Sequence, residues 1–100
     1  MSDIPKVLVE LLGTFFFVSI ILTTLDKSIG LIAPFVVAAG LLAAILFGGK
    51  ISGGHFNPVV SISMFFKDQI SLNLMISYIL FQIIGASLAV IFNNYLYIYI

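Results

Sequence analysis

The sequence contains no cysteine and no tryptophan, and it carries four basic residues, all lysines. Without cysteine the chain forms no disulfide framework and has no thiolate chemistry, and a single histidine, His55, away from other ligand residues gives no credible metal site. Charged residues make up 8% of the chain and the formal net charge is zero, so no basic patch points to nucleic acid. We therefore expect no metal, no cofactor and no nucleic-acid partner.

What the sequence has in abundance is apolar surface. Hydrophobic residues make up 62% of the 100 positions. A soluble domain of this size leaves a large share of its surface in water and has too little interior to hide so many apolar side chains. The composition therefore predicts an integral membrane protein.

Three long apolar segments are separated by short polar stretches. They cover residues 7–25, 31–47 and 72–92, and each is long enough to cross a hydrocarbon core of about 30 Å. A signal peptide is the competing interpretation of the first segment, because Lys6 precedes it. The apolar run is too long for one, however, and no small-residue cleavage site follows. The pattern predicts an all-α membrane protein with three transmembrane helices.

Residues 48–66 lie between the second and third spans and are too short and too interrupted to span. A polar, glycine-rich run is followed by Asn57 and Pro58, which suit the cap and the first position of a helix. Such a helix can run to about Phe66, which gives a length of about 13 Å at 1.5 Å per residue, or half of a hydrocarbon core. We therefore predict a re-entrant loop and half-helix, with extended backbone over residues 48–56.

The lysines predict an orientation. A cytoplasmic N-terminus places Lys6, Lys50 and Lys67 on the cytoplasmic side and Lys27 outside, in agreement with the positive-inside rule. The half-helix then enters from the cytoplasm. We expect residence in the plasma (inner) membrane.

Irregular backbone at membrane depth is tolerated where it is buried in protein or lines a wet cavity. A glycine-rich loop offers carbonyl oxygens to water or hydroxyl groups, and Asn57 offers an amide donor at the start of the half-helix. That helix end carries a partial positive charge, which repels cations. The stretch is therefore typical of one half of a polar pore lining that excludes cations.

Small residues recur at Gly40, Ala44 and Gly48 on the second span, a spacing that allows another backbone to approach closely. A similar face on the third span carries Gln82 and Ala89, with Gly85 beside them. We interpret both faces as helix packing.

The sequence resembles a known family at three places. Residues 51–61, ISGGHFNPVVS, closely resemble the first Asn-Pro-Ala loop of the aquaporin or major intrinsic protein family. Residues 10–16, ELLGTFF, are similar to the family's first helix, and residues 82–86, QIIGA, to its third. The resemblance implies that residues 1–100 form one aquaporin-like half, that is, one of two inverted repeats with three spans and one half-helix.

The resemblance also implies a function. It indicates a channel for passive transport of water or small neutral solutes such as glycerol that excludes protons and ions. Asn57 would donate hydrogen bonds to permeating molecules at the midplane, and Pro58 would set the half-helix. The carbonyl ladder beside them would be formed by Gly53, Gly54, His55 and Phe56.

Glu10 matches a family carboxylate that braces the loop by accepting backbone N–H bonds. The alternative is a carboxylate that snorkels beside Lys6, one turn away.

Three departures from the family pattern stand out. Val59 replaces the usual alanine at the tip of the half-helix, which adds bulk where two half-helices would meet. The aromatic residue of the outer constriction falls, by spacing, on Val37, so this candidate constriction position would be wider. The family also has two inverted repeats, whereas this chain has one.

Two hypotheses follow from the single repeat. In the first, the chain is a half-channel that acts in the lipid membrane with a second half, supplied by a separate chain or by an inverted homodimer, within a higher oligomer. In the second, the chain is a truncated, non-conducting subunit that binds intact channels through the stripe of Gly40, Ala44 and Gly48. An enzyme is not expected, because the carboxylates and His55 form no catalytic constellation.

Overall fold

The structure, a computed structural model, describes residues 2–99, with side chains up to residue 96. This part of the chain is helical and contains no strand. The elements, in order, are α1 Ile4–Lys27, a 3-10 turn Gly30–Ile32, α2 Ala33–Ser52, α3 Pro58–Phe66 and α4 Leu72–Tyr99.

Within the described part of the chain, three stretches are long and apolar enough to cross a membrane: Ile4–Lys27, Gly30–Ser52 and Leu72–Leu96. Helix α3, with 9 residues, is too short to do so. The predicted fold class, an all-α membrane protein with three spanning helices and one shorter helix, is confirmed.

Helix α3 begins where the Asn-Pro step predicts. Asn57 is extended, with φ −162° and ψ 125°, and its side-chain oxygen accepts a hydrogen bond of 2.8 Å from the N–H of Val59. Pro58 occupies the first helical position. A backbone N–H at this position would have no acceptor within the helix, so the absence of one in proline costs no hydrogen bond. The helix ends at Phe66, and the left-handed backbone of Asp68 (φ 61°) turns the chain toward α4.

Helix α2 is longer than the sequence predicts, and the extended backbone expected over residues 48–56 is shorter. Residues Gly48 to Ser52 are helical, and the helix stops at Gly53, whose φ of 94° only glycine adopts freely. The weak helix propensity of Gly48 is overridden by packing, because a β-carbon added there would lie 2.4 Å from the Val9 side chain. The non-helical loop is therefore residues 53–57, called the loop below.

Glycines bring the spanning helices close together. A β-carbon added at Gly85 on α4 would lie 2.4 Å from the carbonyl oxygen of Leu11 on α1, so the two backbones are in direct contact. On α2, a β-carbon at Gly40 would lie 2.7 Å from Ile20. The stripe of small residues on α2 is thus buried against α1 of the same chain. This agrees with the helix-packing interpretation and corrects the suggestion that the stripe could bind another channel.

The contact at Gly85 predicts a strong effect of one methyl group. Gly85→Ala forces α1 and α4 apart and should destabilise the fold by about 1–3 kcal/mol. Gly49→Ala is the matched control, since the nearest atom to its β-carbon is 3.5 Å away, and it should be neutral or stabilising by up to about 1 kcal/mol. Thermal unfolding in detergent, followed by circular dichroism, compares the two. Equal midpoints for both variants would contradict the proposed close contact.

Candidate functional site

The site is built on Glu10, a fully buried carboxylate in the second turn of α1. One oxygen, Oε2, accepts hydrogen bonds from the hydroxyl of Ser52 at 2.7 Å and from the N–H of His55 at 3.0 Å. The other, Oε1, accepts from the N–H of Phe56 and from the amide of Gln82, both at 2.8 Å. Four donors suit an ionised carboxylate, which accepts hydrogen bonds and donates none, and they compensate for its burial.

A second set of hydrogen bonds ties the same carboxylate to the half-helix. The amide of Gln82 also donates to the hydroxyl oxygen of Ser61 on α3, at 2.9 Å. The Ser61 oxygen lies 2.8 Å from Nδ1 of His55, and all three side chains are buried. The Ser61 hydroxyl has one proton and two lone pairs, so it accepts from Gln82 and either donates to His55 or accepts from it, according to the imidazole tautomer. The half-helix, the loop and α4 are therefore linked through Glu10.

Tyr78 closes the network from the α4 side. Its hydroxyl donates to the carbonyl oxygen of Ser52, the last residue of α2. Its ring packs edge-on against His55, with centroids 5.0 Å apart. Tyr78 and Gln82 are four residues apart and so lie on one face of α4. This face of α4 therefore contacts the end of α2 through Tyr78, and Glu10 and the half-helix through Gln82.

The Phe56 ring anchors the loop on its apolar side. Phe56 has a left-handed backbone (φ 52°), a conformation that costs energy in a residue other than glycine. Its ring is buried against Gly13, where an added β-carbon would lie 2.0 Å from the ring. The ring contact and the bond from its N–H to Glu10 together stabilise this conformation.

The direction of the loop carbonyls follows from these bonds. The N–H groups of Gly54, His55 and Phe56 all point inward, to the Ser52 hydroxyl or to Glu10. In a trans peptide the carbonyl points opposite to the N–H of the next residue. The carbonyls of Gly53, Gly54 and His55 therefore face away from the carboxylate, and none of the described hydrogen bonds ends on them. For the Phe56 carbonyl, the fourth of the predicted set, the direction does not follow from these bonds.

The start of the half-helix is exposed beside these carbonyls. Because the Asn57 side-chain oxygen caps Val59, the two amide hydrogens of Asn57 remain to donate elsewhere. Pro58 is exposed, as is Val59, at 68%. The positive end of the α3 dipole lies at this tip. The outward-facing carbonyl oxygens of the loop are thus followed by the amide donor of Asn57 and by the positive N-terminal end of α3.

The structure does not bring every predicted site residue to the loop. Val37 lies in the second turn of α2, 15 residues before Ser52, which is about 22 Å along the helix axis. Sequence reasoning missed Ser52, Ser61 and Tyr78 and treated Gln82 as a packing residue. One signal was available: a polar group inside an apolar span must find a partner, because lipid provides none.

Comparison with known proteins places this geometry in a family. The model of the family described as MIP: Major intrinsic protein matches residues 1–99. The chain belongs to the major intrinsic protein family. The resemblance inferred from the sequence is thereby confirmed. Membership and the three apolar helices make the chain an integral membrane protein of this family.

Relatives in the family include bacterial and mammalian proteins. Glycerol uptake facilitator protein-like 6 of Lactiplantibacillus plantarum is 42% identical over 84% of this chain and 40% of its own length. Aquaporin-8 of Notomys alexis is 41% identical over 86% of this chain and 36% of its own length. Aquaporin Z of Photorhabdus laumondii is 37% identical over 84% and 40%. The matches span about 40% of the length of these relatives, and no solved structure matches the chain.

The network predicts that Glu10 controls the order of the loop. Glu10→Gln replaces one acceptor oxygen by an amide that faces an N–H donor, leaving a buried donor unsatisfied at a cost of about 1–3 kcal/mol. Hydrogen exchange at His55 and Phe56 should then be roughly 5- to 150-fold faster, measured by mass spectrometry on peptides that cover the loop.

The control is Asp68→Asn, which removes one negative charge at an exposed site where asparagine tolerates the left-handed backbone. This control should leave loop exchange unchanged. Loop exchange in Glu10→Gln equal to that of the wild type would contradict the bracing role.

Proposed function

We propose that the chain is one half of a membrane channel for passive transport of water or small neutral solutes such as glycerol. The observation that supports this function is the orientation of the loop. Its N–H groups are used by Ser52 and Glu10, while the carbonyls of Gly53, Gly54 and His55 face away and lead to the free amide hydrogens of Asn57. Molecules that both donate and accept hydrogen bonds suit such a path.

The same arrangement favours exclusion of protons and ions. The tip at Asn57 lies at the positive end of the half-helix dipole, which repels cations and hydronium. Glu10 lies on the side of the loop opposite to these carbonyls, where its buried carboxylate accepts four hydrogen bonds. Anions would have to give up their hydration for carbonyl oxygens, which repel them. Neutral solutes face neither barrier.

A second half would complete the path. The tip residues Asn57, Pro58 and Val59 are exposed in the isolated chain, and the relatives are more than twice as long as the segment matched. The second half would be a separate chain or an inverted second copy, and the complete channels would form a higher oligomer in the lipid membrane. The lysine distribution supports a cytoplasmic N-terminus. The membrane of residence that we propose is the plasma (inner) membrane.

A non-conducting subunit that associates with intact channels is a second candidate. It is favoured by one observation: Val59, at the tip of the half-helix, is 68% exposed and offers an apolar surface to another protein. Such a subunit would have to use a surface other than the stripe of Gly40, Ala44 and Gly48, which is packed against α1. The exposed tip at Val59 is the alternative.

Water permeability tests the half-channel directly. Proteoliposomes containing the chain, alone and with a separately expressed C-terminal half of a related aquaporin, are shrunk osmotically in a stopped-flow instrument. We expect water permeability above the lipid background in at least one of these two preparations. Asn57→Asp keeps the helix cap but removes the amide donor and adds negative charge at the tip, so it should lower water permeability and raise cation leak.

The control is Asn94→Asp, which makes the same chemical change at an exposed position near the end of α4 and should leave permeability unchanged. Permeability at the lipid background in every assembly would contradict the half-channel. If the chain at the same time lowered the permeability of intact channels, the non-conducting subunit would be supported.

A further inference from the structure

Two buried polar atoms near Glu10 have no hydrogen-bond partner among the described residues. They are Oε1 of Gln82 and Oγ1 of Thr14, residues that are 1% and 4% exposed. A third such atom, Oγ of Ser19, lies on the opposite side of α1, because Ser19 follows Glu10 by nine residues, or about two and a half helical turns. Lipid offers no hydrogen bond to buried groups of this kind, so each needs a partner inside the protein.

The orientation of the Gln82 amide is fixed by its other hydrogen bonds. Its nitrogen donates to Oε1 of Glu10 at 2.8 Å and to Oγ of Ser61 at 2.9 Å, which uses both amide hydrogens. Turning the amide over would place its carbonyl oxygen against the carboxylate, and two acceptors would then face each other. Oε1 of Gln82 is therefore an acceptor without a donor, and turning the amide does not provide one.

Thr14 lies on the side of α1 that faces α4. It follows Glu10 by four residues, so it shares a face with the carboxylate and lies about 6 Å further along the axis. The two helices run in the same direction here, because Gln82 meets Glu10 while Gly85, three residues later, packs against the backbone N–H of Phe15. The Thr14 hydroxyl is therefore about one turn from the carboxylate to which Gln82 binds.

A single water molecule is complementary to these two groups. The Gln82 oxygen accepts hydrogen bonds, and the Thr14 hydroxyl can donate one, so a water that donates to the first and accepts from the second satisfies both. Two hydrogen bonds of about 2.8 Å span up to about 5.6 Å, close to the rise of one helical turn. Buried waters in proteins occur where two to four otherwise unpaired polar groups converge. Ala86, one turn after Gln82 on α4, takes up little space at this level.

We propose that Gln82 and Thr14 hold one buried water molecule between α1 and α4. The inference goes beyond the channel function and does not depend on it, since Glu10 and Gln82 lie on the side of the loop opposite to the outward-facing carbonyls. The water is a fixed part of the fold rather than a permeating molecule. By bonding to the Gln82 oxygen, it holds the amide in the orientation that reaches both Glu10 and Ser61.

The sign of a stability change shows whether the Thr14 hydroxyl is bonded. Thr14→Val keeps the shape of the side chain and leaves the Gln82 oxygen without its partner, so the thermal midpoint of the full chain in detergent should fall by at least about 4 °C. Thr23→Val is the matched control, because that exposed hydroxyl bonds within its own helix, and its midpoint should change little. An unchanged or higher midpoint in Thr14→Val would overturn the proposal, since replacing an unpaired buried hydroxyl by a methyl group favours folding.

A crystal structure of the full chain, grown in lipid and at a resolution that shows ordered water, distinguishes a water from a direct bond. We expect one ordered water within hydrogen-bond distance of Oε1 of Gln82 and Oγ1 of Thr14. Thr14→Ser keeps the hydroxyl and should keep this water, whereas Thr14→Val should lose it. A direct bond from the Thr14 hydroxyl to Gln82, another protein donor on the Gln82 oxygen, or no water between the two atoms would overturn the proposal.

Discussion

The carboxylate of Glu10 is the interaction on which the rest of the structure depends. At membrane depth an unpaired N–H has no solvent to bond, so a non-helical loop needs an internal acceptor. Glu10 provides one for His55 and Phe56, and by binding their N–H groups it turns the loop carbonyls to the other side. The same carboxylate is reached by Gln82, which in turn holds Ser61 on the half-helix. One buried charge thus fixes the loop, the half-helix and α4 together.

Glycines determine whether these polar groups can meet. Gly85 allows the backbones of α1 and α4 to touch, which lets the Gln82 side chain reach across to Glu10. Gly13 leaves room for the Phe56 ring, and without that space the loop could not pack against α1. Hydrophobic attraction between helices is weak in lipid, where tails are as apolar as leucine, so close packing and hydrogen bonds carry the association. The small residues therefore allow the polar network to form, and the two together hold the helices in contact.

Local signals in the sequence predicted much of the fold. The three apolar runs gave the spans, and Asn57 with Pro58 gave the start of the half-helix, because cap chemistry is decided within a few residues. The end of α2 was predicted too early, since helix packing around Gly48 outweighs its weak propensity. The hydrogen bonds of Gln82 join residues 72 and 21 positions apart, for which no local pattern exists. The roles of Val37 and Val59 remain predictions, because both depend on a second half.

The depth of the half-helix tip tests the central claim that the loop is held inside the membrane. The chain has no cysteine, so spin labels can be placed singly through Val59→Cys and Lys67→Cys, and their depths measured by the relaxation effects of oxygen and a polar nickel complex. Eight residues of helix separate the two sites, which allows a depth difference of up to about 12 Å. We predict that the label at 59 lies near the bilayer centre and the label at 67 near the surface. Equal depths would mean that the half-helix lies along the membrane surface, and would contradict the account.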